Sequence, residues 1–240
     1  MKRSEGRKTD ELRSLEIIPH WTENPDGSAL VKWGKTWVLC TACCEGRAPY
    51  WQKEKQEGWV TAEYGMLPGS TDTRKRRPGL GKVDSRGTEI QRLVARSLRG
   101  ACNLKAIPSW TVAIDCDVLQ ADGGTRVASV VGGMVALEFA ARTLVKRGAL
   151  TSTSKLIKRR VVAVSLGWVD GEPLLDLDYA EDKRADVDLN LVGTADGSWV
   201  EVQGTAEGDP VERTILDALL DVGFVGLKRV GRVVAEALRQ

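Results

Sequence analysis

The chain has 240 residues, of which 42% are hydrophobic and 28% charged, and its formal net charge is +2. That length can bury a full core, the composition excludes a disordered chain, and so small a net charge names no partner by itself. No uninterrupted apolar run approaches the roughly 20 residues that span a bilayer, and the polar start Met1–Lys8 lacks the apolar stretch of a secretion signal. A cytoplasmic protein without a membrane partner is expected.

Residues 28–45 predict two strands joined at Gly34-Lys35. The second carries Cys40-x-x-Cys43, a spacing used by metal sites. Residues three apart on a strand face opposite sides, no second cysteine pair follows at zinc-finger distance, and His20 is the only histidine, in an unpatterned segment. Buried structural cysteines are therefore expected, and an odd count of five argues against a disulfide framework. Residues 46–84 are the least regular stretch, with a short strand expected at Gly58–Tyr64 and a mobile loop over 68–82, where Pro, Gly and a cationic run coincide. Ile90, Leu93, Val94 and Leu98 predict a helix over 87–99 that stops at Gly100, with Arg92, Arg96 and Arg99 mostly on other faces. Residues 110–119 alternate as a strand, Asp122–Arg126 form a tight turn, and 126–147 follow as a long, nearly all-apolar helix ending at Gly148, buried on most sides. Hairpins are predicted around Asp170-Gly171 and Asp196-Gly197, and two helical segments over 210–239, parted near Gly223–Gly226. The order implies an α+β fold of mixed sheets packed on helices. Without a short repeat or an evident linker, it reads as one domain over 1–240.

Three constellations carry chemistry. In Asp122-Gly123-Gly124-Thr125-Arg126, the glycines let the backbone bring N–H groups close to a ligand, and a helix N-terminus favours anions. Arg126 adds a fork of donors matched to phosphate oxygens. The segment is neither a Walker loop nor a dinucleotide fingerprint, and an ordinary capped turn is the plainer reading. Residues 176–188 hold Asp176, Asp178, Glu181, Asp182, Asp186 and Asp188 against Lys183 and Arg184. They do not fit an EF-hand loop and could be a solvated surface. If Asp182 ends a turn and Asp188 opens a strand, however, those two carboxylates can converge on one Mg²⁺. Residues 74–99 hold nine lysines and arginines against Asp84 and Glu89. A basic and an acidic block in one chain suit a site that binds polyanions and holds a divalent cation. The pattern alone also allows a nucleotide-binding protein built on the Gly123-Gly124 turn.

Four stretches go further: Gly58–Pro68, Glu89–Leu93, Asp115–Arg126 and Glu201–Gly208. Through them the chain resembles the RNase PH family along nearly its whole length. The resemblance implies a fold similar to domain 2 of ribosomal protein S5 and a homo-hexamer built as a trimer of dimers. It also implies phosphorolytic 3′→5′ trimming of tRNA and other RNA 3′ ends, reversibly, with release of nucleoside 5′-diphosphates. By position, Arg86, Gly124, Thr125 and Arg126 would hold inorganic phosphate. Asp182 and Asp188 would form the catalytic and Mg²⁺ site, and Arg74 and Arg77 would guide tRNA at the ring entrance. Some positions depart: Gly69 stands where the family has arginine, implying weaker RNA binding there, Ser85-Arg86-Gly87-Thr88 replaces Gly-Arg-Thr, and Glu5-Gly6-Arg7 replaces Asp-Gly-Arg. The rival within the family is a non-catalytic RNA-binding ring subunit of an exosome-like assembly.

Overall fold

Strand pairing follows the turn chemistry. In the computed structural model, which describes Arg3 and residues 6–52, 54–77 and 84–240, Gly34 adopts φ +56° and closes the first hairpin. The first sheet contains β1 (Leu15–Pro19), β2 (Gly27–Trp33), β3 (Thr36–Glu45), β4 (Trp59–Met66) and, after helix α1 (Ser85–Ala101), β5 (Thr111–Gln120). Their order is β1-β2-β3-β5-β4, antiparallel except for the β4–β5 pair. A parallel pair needs a crossover, which α1 supplies by packing on β4. On β3 the even-numbered side chains from Val38 to Ala42 are buried, so Cys40 lies in the core while Cys43 is exposed on the other face.

Helix α1 starts earlier and ends later than its periodicity predicts. The Asp84 carboxylate accepts a hydrogen bond from the Gly87 amide at 3.2 Å, which starts the helix at Ser85 and places Arg86 in its first turn. Gly100 does not stop it, because the next residue, Ala101, is buried in the core. Of the predicted loop over 68–82, residues 78–82 lie outside the described residues, as does Glu5.

Helix α2 (Thr125–Lys146) follows β5 directly. It packs against β2, β3 and β5 on one side, while α3 (Thr153–Leu156) leads to the strands of the second sheet on the other. That sheet contains β6 (Val162–Val169), β7 (Glu172–Leu175), then, after α4 (Tyr179–Asp182), β8 (Val187–Gly193) and β9 (Trp199–Ala206), in the antiparallel order β7-β6-β8-β9. By length and composition α2 could cross a membrane, at a mean hydropathy of 1.4, but 89% of that stretch is buried by the protein's own layers. Asp170 and Gly171 both have positive φ, as a two-residue primed turn requires, and close the β6–β7 hairpin.

The C-terminal region is one helix, α5 (Arg213–Ala237), where two were expected. Gly223 and Gly226 are contact positions: a Cβ at Gly223 would lie 2.6 Å from a Leu191 methyl, and one at Gly226 2.5 Å from a Leu175 methyl. Their missing side chains let α5 settle onto β6, β7 and β8. One continuous apolar core runs from Ile17 through α2 to Leu238 and joins both sheets. His20 is exposed, with its ring 4.1 Å from that of Phe139.

Candidate active site

The turn between β5 and α2 is built from the backbone outward. Gly123 and Gly124 take φ +72° and +66°, a region that side chains disfavour. A Cβ on Gly123 would also strike the Leu177 carbonyl at 2.5 Å. The turn is held from several sides. The Asp122 amide donates to the Thr36 hydroxyl at 2.9 Å, which donates in turn to the Gly123 carbonyl at 2.6 Å. The Arg13 guanidinium donates to the Asp122 carbonyl, and the Tyr179 amide donates to the Asp122 carboxylate at 3.2 Å. The first amides of α2 lack intrahelical partners and carry the positive end of the helix dipole. They open on a cavity of about 500 Å³. Gly124, Thr125, Arg126, Arg86, Asp182 and Asp188 all line it.

The side chains of this cradle are positioned by neighbours. The Thr125 hydroxyl is 2.9 Å from the Tyr64 hydroxyl, which β4 projects from the core. Arg126 reaches Glu89 on α1 at 3.3 Å and Gln203 on β9 at 3.2 Å, and the Gln203 amide closes the triangle by donating to Glu89 at 2.8 Å. Arg86 is exposed at the first turn of α1, and the fields of Arg86 and Arg126 both reach Asp182 and Asp188.

The acidic block divides. Asp176, Asp178 and Glu181 are buried and bind arginines from the N-terminal segment. Asp176 is fully buried and accepts from the Arg13 amide at 2.7 Å, from its guanidinium at 2.6 Å and from the Trp33 indole at 2.9 Å. Burial pulls the Arg13 pKa down, and the Asp176 carboxylate more than restores it. Glu181 pairs with Arg3 at 2.8 Å and Arg7 at 3.2 Å, and forms a capping box with Asp178 that starts α4. Asp182 ends α4 at the exposed rim of the cavity, and Asp188 lies on β8, half-buried in its wall. Among the described residues neither forms an ion pair. Burial pushes the Asp188 carboxyl up to about 6, helped by the nearby Asp182 and opposed by Arg126. Burial also raises Asp182, against Arg126 and Arg86.

Such a carboxylate pair fits a hard divalent cation, whose charge would offset the burial that raises both groups and the Asp182 repulsion that adds to it at Asp188. Among the described residues no cluster of three metal-ligating side chains exists, so water and substrate oxygens would complete the shell, as suits Mg²⁺. Arg74 and Arg77 are exposed on the loop after β4 and do not line the cavity. Lys75, between them, does line it and pairs with Asp84 at 3.2 Å. Sequence reasoning missed Lys75, Tyr64, Ser165 and Asn190. The signal for the last two was one hydroxyl in an otherwise apolar strand and one amide two residues after Asp188: Ser165 and Asn190 are partners across β6 and β8, and Asn190 shares a face with Asp188.

One cavity thus brings together a glycine turn at a helix N-terminus, two arginines and two carboxylates, and comparison with known proteins supplies the family. Residues 11–142 match domain 1 and residues 160–226 match domain 2 of the 3′ exoribonuclease family. A ribonuclease PH from Frankia casuarinae is 49% identical over 240 residues, covering 100% of this chain and 94% of that protein. An Archaeoglobus fulgidus exosome solved with RNA bound to the active site is similar at 25% identity and a TM-score of 0.81, over 96% of this chain and 92% of that one. Rice Rrp46 shares the fold at 18% identity and a TM-score of 0.80, over 99% of this chain and 100% of that one. The chain belongs to the 3′ exoribonuclease family, in its RNase PH branch.

Proposed function

We propose that this phosphate-dependent 3′→5′ exoribonuclease carries out its whole reaction in the cavity between the N-terminus of α2 and the Asp182–Asp188 pair. The observation that carries the reading is the convergence of an anion cradle and a carboxylate pair, from distant parts of the chain, on one cavity. Inorganic phosphate is held by the Gly124–Thr125 backbone, Arg126 and Arg86, whose charge offsets the repulsion between an anionic nucleophile and a phosphodiester. The phosphate oxygen attacks the last phosphodiester of the RNA, and the bond to the 3′-oxygen of the shortened chain breaks. One of the two aspartates, in this reading Asp182, helps protonate that leaving oxygen. The product is a nucleoside 5′-diphosphate, and the reverse reaction adds nucleotides when phosphate is scarce. Mg²⁺ held by Asp182 and Asp188 would supply charge stabilisation in the transition state.

The substrates are 3′ ends of tRNA precursors and other RNAs, guided by Arg74 and Arg77 from a homo-hexamer built as a trimer of dimers. Trp199, Val202, Val211 and Leu216, exposed around edge strand β9 and the start of α5, offer apolar surface for such contacts. Five free cysteines suit a reducing cytoplasm. A non-catalytic ring subunit would be expected to lack some of these groups, and here all are present. The test is incubation with a 3′-extended tRNA and Mg²⁺, with and without phosphate, followed by chromatography of the mononucleotides. Diphosphates released only with phosphate are expected, whereas monophosphates, or no product, would overturn the proposal. Light scattering across a dilution series, alongside activity on tRNA, tests assembly: a fully active monomer refutes the ring.

A further inference from the structure

Ser165 has no counterpart among the site residues assigned so far. It is the one hydroxyl in the buried run Val162–Leu166 of β6, and it is 4% exposed. Among the described residues its Oγ is buried without a hydrogen-bond partner, in the wall of the same cavity as Gly124, Thr125 and Arg126. A Cβ built on Gly124 would lie 3.6 Å from that oxygen, so the hydroxyl directly faces the glycine turn. The obvious partner across the sheet is engaged elsewhere, since the Asn190 amide donates to Asp188 at 3.4 Å. A buried hydroxyl without a partner bears the full cost of losing water, whereas alanine in its place would bear none. A ligand that completes its hydrogen bonding accounts for a serine at such a point.

We propose that Ser165 donates its hydroxyl to the phosphate held at the N-terminus of α2, so that the anion is gripped from the second sheet as well as from the helix. The arrangement supplies what the helix alone lacks. Backbone amides and Arg126 reach the anion from the α2 side, Arg86 reaches it from α1, and Ser165 caps an oxygen on the β6 side. The contact also lets phosphate bridge the helices and the second sheet, with Gly124 leaving room for it on one side. The inference rests on the reading of this cavity as the phosphate site.

The experiment is phosphorolysis of a short oligoribonucleotide with inorganic phosphate varied, for wild type, Ser165→Ala, Ser165→Thr and Arg126→Ala. Ser165→Ala is expected to raise the KM for phosphate about tenfold, the factor one hydrogen bond to a charged group supplies, with RNA affinity unchanged. Ser165→Thr keeps the hydroxyl and should recover most of the loss. A thermal melt gives a second readout. Without phosphate Ser165→Ala should melt at or above the wild-type temperature, and the upward shift on adding phosphate should shrink. A wild-type KM for phosphate together with a wild-type melting shift overturns the role of Ser165. If Arg126→Ala also leaves the phosphate KM unchanged, the phosphate site itself is misplaced. If only Arg126→Ala raises it, Ser165 alone fails.

Discussion

Asp176, Asp178 and Glu181 differ from Asp182 and Asp188 in everything but chemistry and address. All five lie within one short acidic block, yet the first three are buried against Arg3, Arg7 and Arg13, and the last two face the cavity without an ion pair among the described residues. The first group spends its charge on structure, anchoring the N-terminal segment and starting α4. The second keeps its charge unspent, which leaves it free for a cation or a proton. The lesson is that a buried charge cluster becomes a scaffold where its counter-ions are built in and a reaction site where they are left out.

The sharpest way to break this comparison is to neutralise one member of each group. Asp182→Asn or Asp188→Asn should keep a wild-type melting curve and RNA affinity while turnover falls in both directions to below about a tenth at saturating Mg²⁺. Retention of more than that by either variant removes that residue from the essential set. Asp176→Ala should do the opposite. It strands the buried Arg13 guanidinium and the Trp33 indole, and breaking such a pair costs about 3–5 kcal/mol, measurable by urea denaturation. A loss below about 1 kcal/mol would mean that the cluster is dispensable to the fold.

Arg126→Ala sharpens the contrast on the cationic side. Its guanidinium bonds Glu89 and Gln203 and lines the cavity, and in the proposed reaction its removal should cost about 2–4 kcal/mol of transition-state stabilisation. The defect should appear in phosphate use, with RNA affinity close to wild type. The smallest effect is expected at Gly69, on the exposed loop that carries Arg74 and Arg77. A Cβ there meets nothing within 4 Å among the described residues, so these leave room for Gly69→Arg. It should tighten tRNA binding and steepen the slope of log affinity against log salt by about 0.7–0.9 per new phosphate contact, with little change in maximal rate. Identical slopes for the two proteins would show that a neighbouring cation such as Lys75 or Arg76 already fills the place.

The elements built from local rules were legible in the chain. Alternation located β3, β4, β5 and both later hairpins, and Gly34, Asp170-Gly171 and Asp196-Gly197 located their turns, because strand period and turn conformation are properties of adjacent residues. The tight Gly123-Gly124 turn ahead of α2 was legible for the same reason. What escaped was decided by residues far apart. Gly223 and Gly226 look like a helix break until β6, β7 and β8 press against them, where they become the points at which α5 fits the sheet. Gly100 looks like a stop until the burial of Ala101 carries α1 past it. Ser165 looks like one hydroxyl in an apolar strand until the second sheet brings it opposite Gly124. The division of the acidic block is the plainest case: its six carboxylates look alike in the chain, and only arginines arriving from more than 160 positions away select which are neutralised. Charge pairing in a low-dielectric interior depends on distance in space, and the fold, which sets that distance, decides which acids remain free to react.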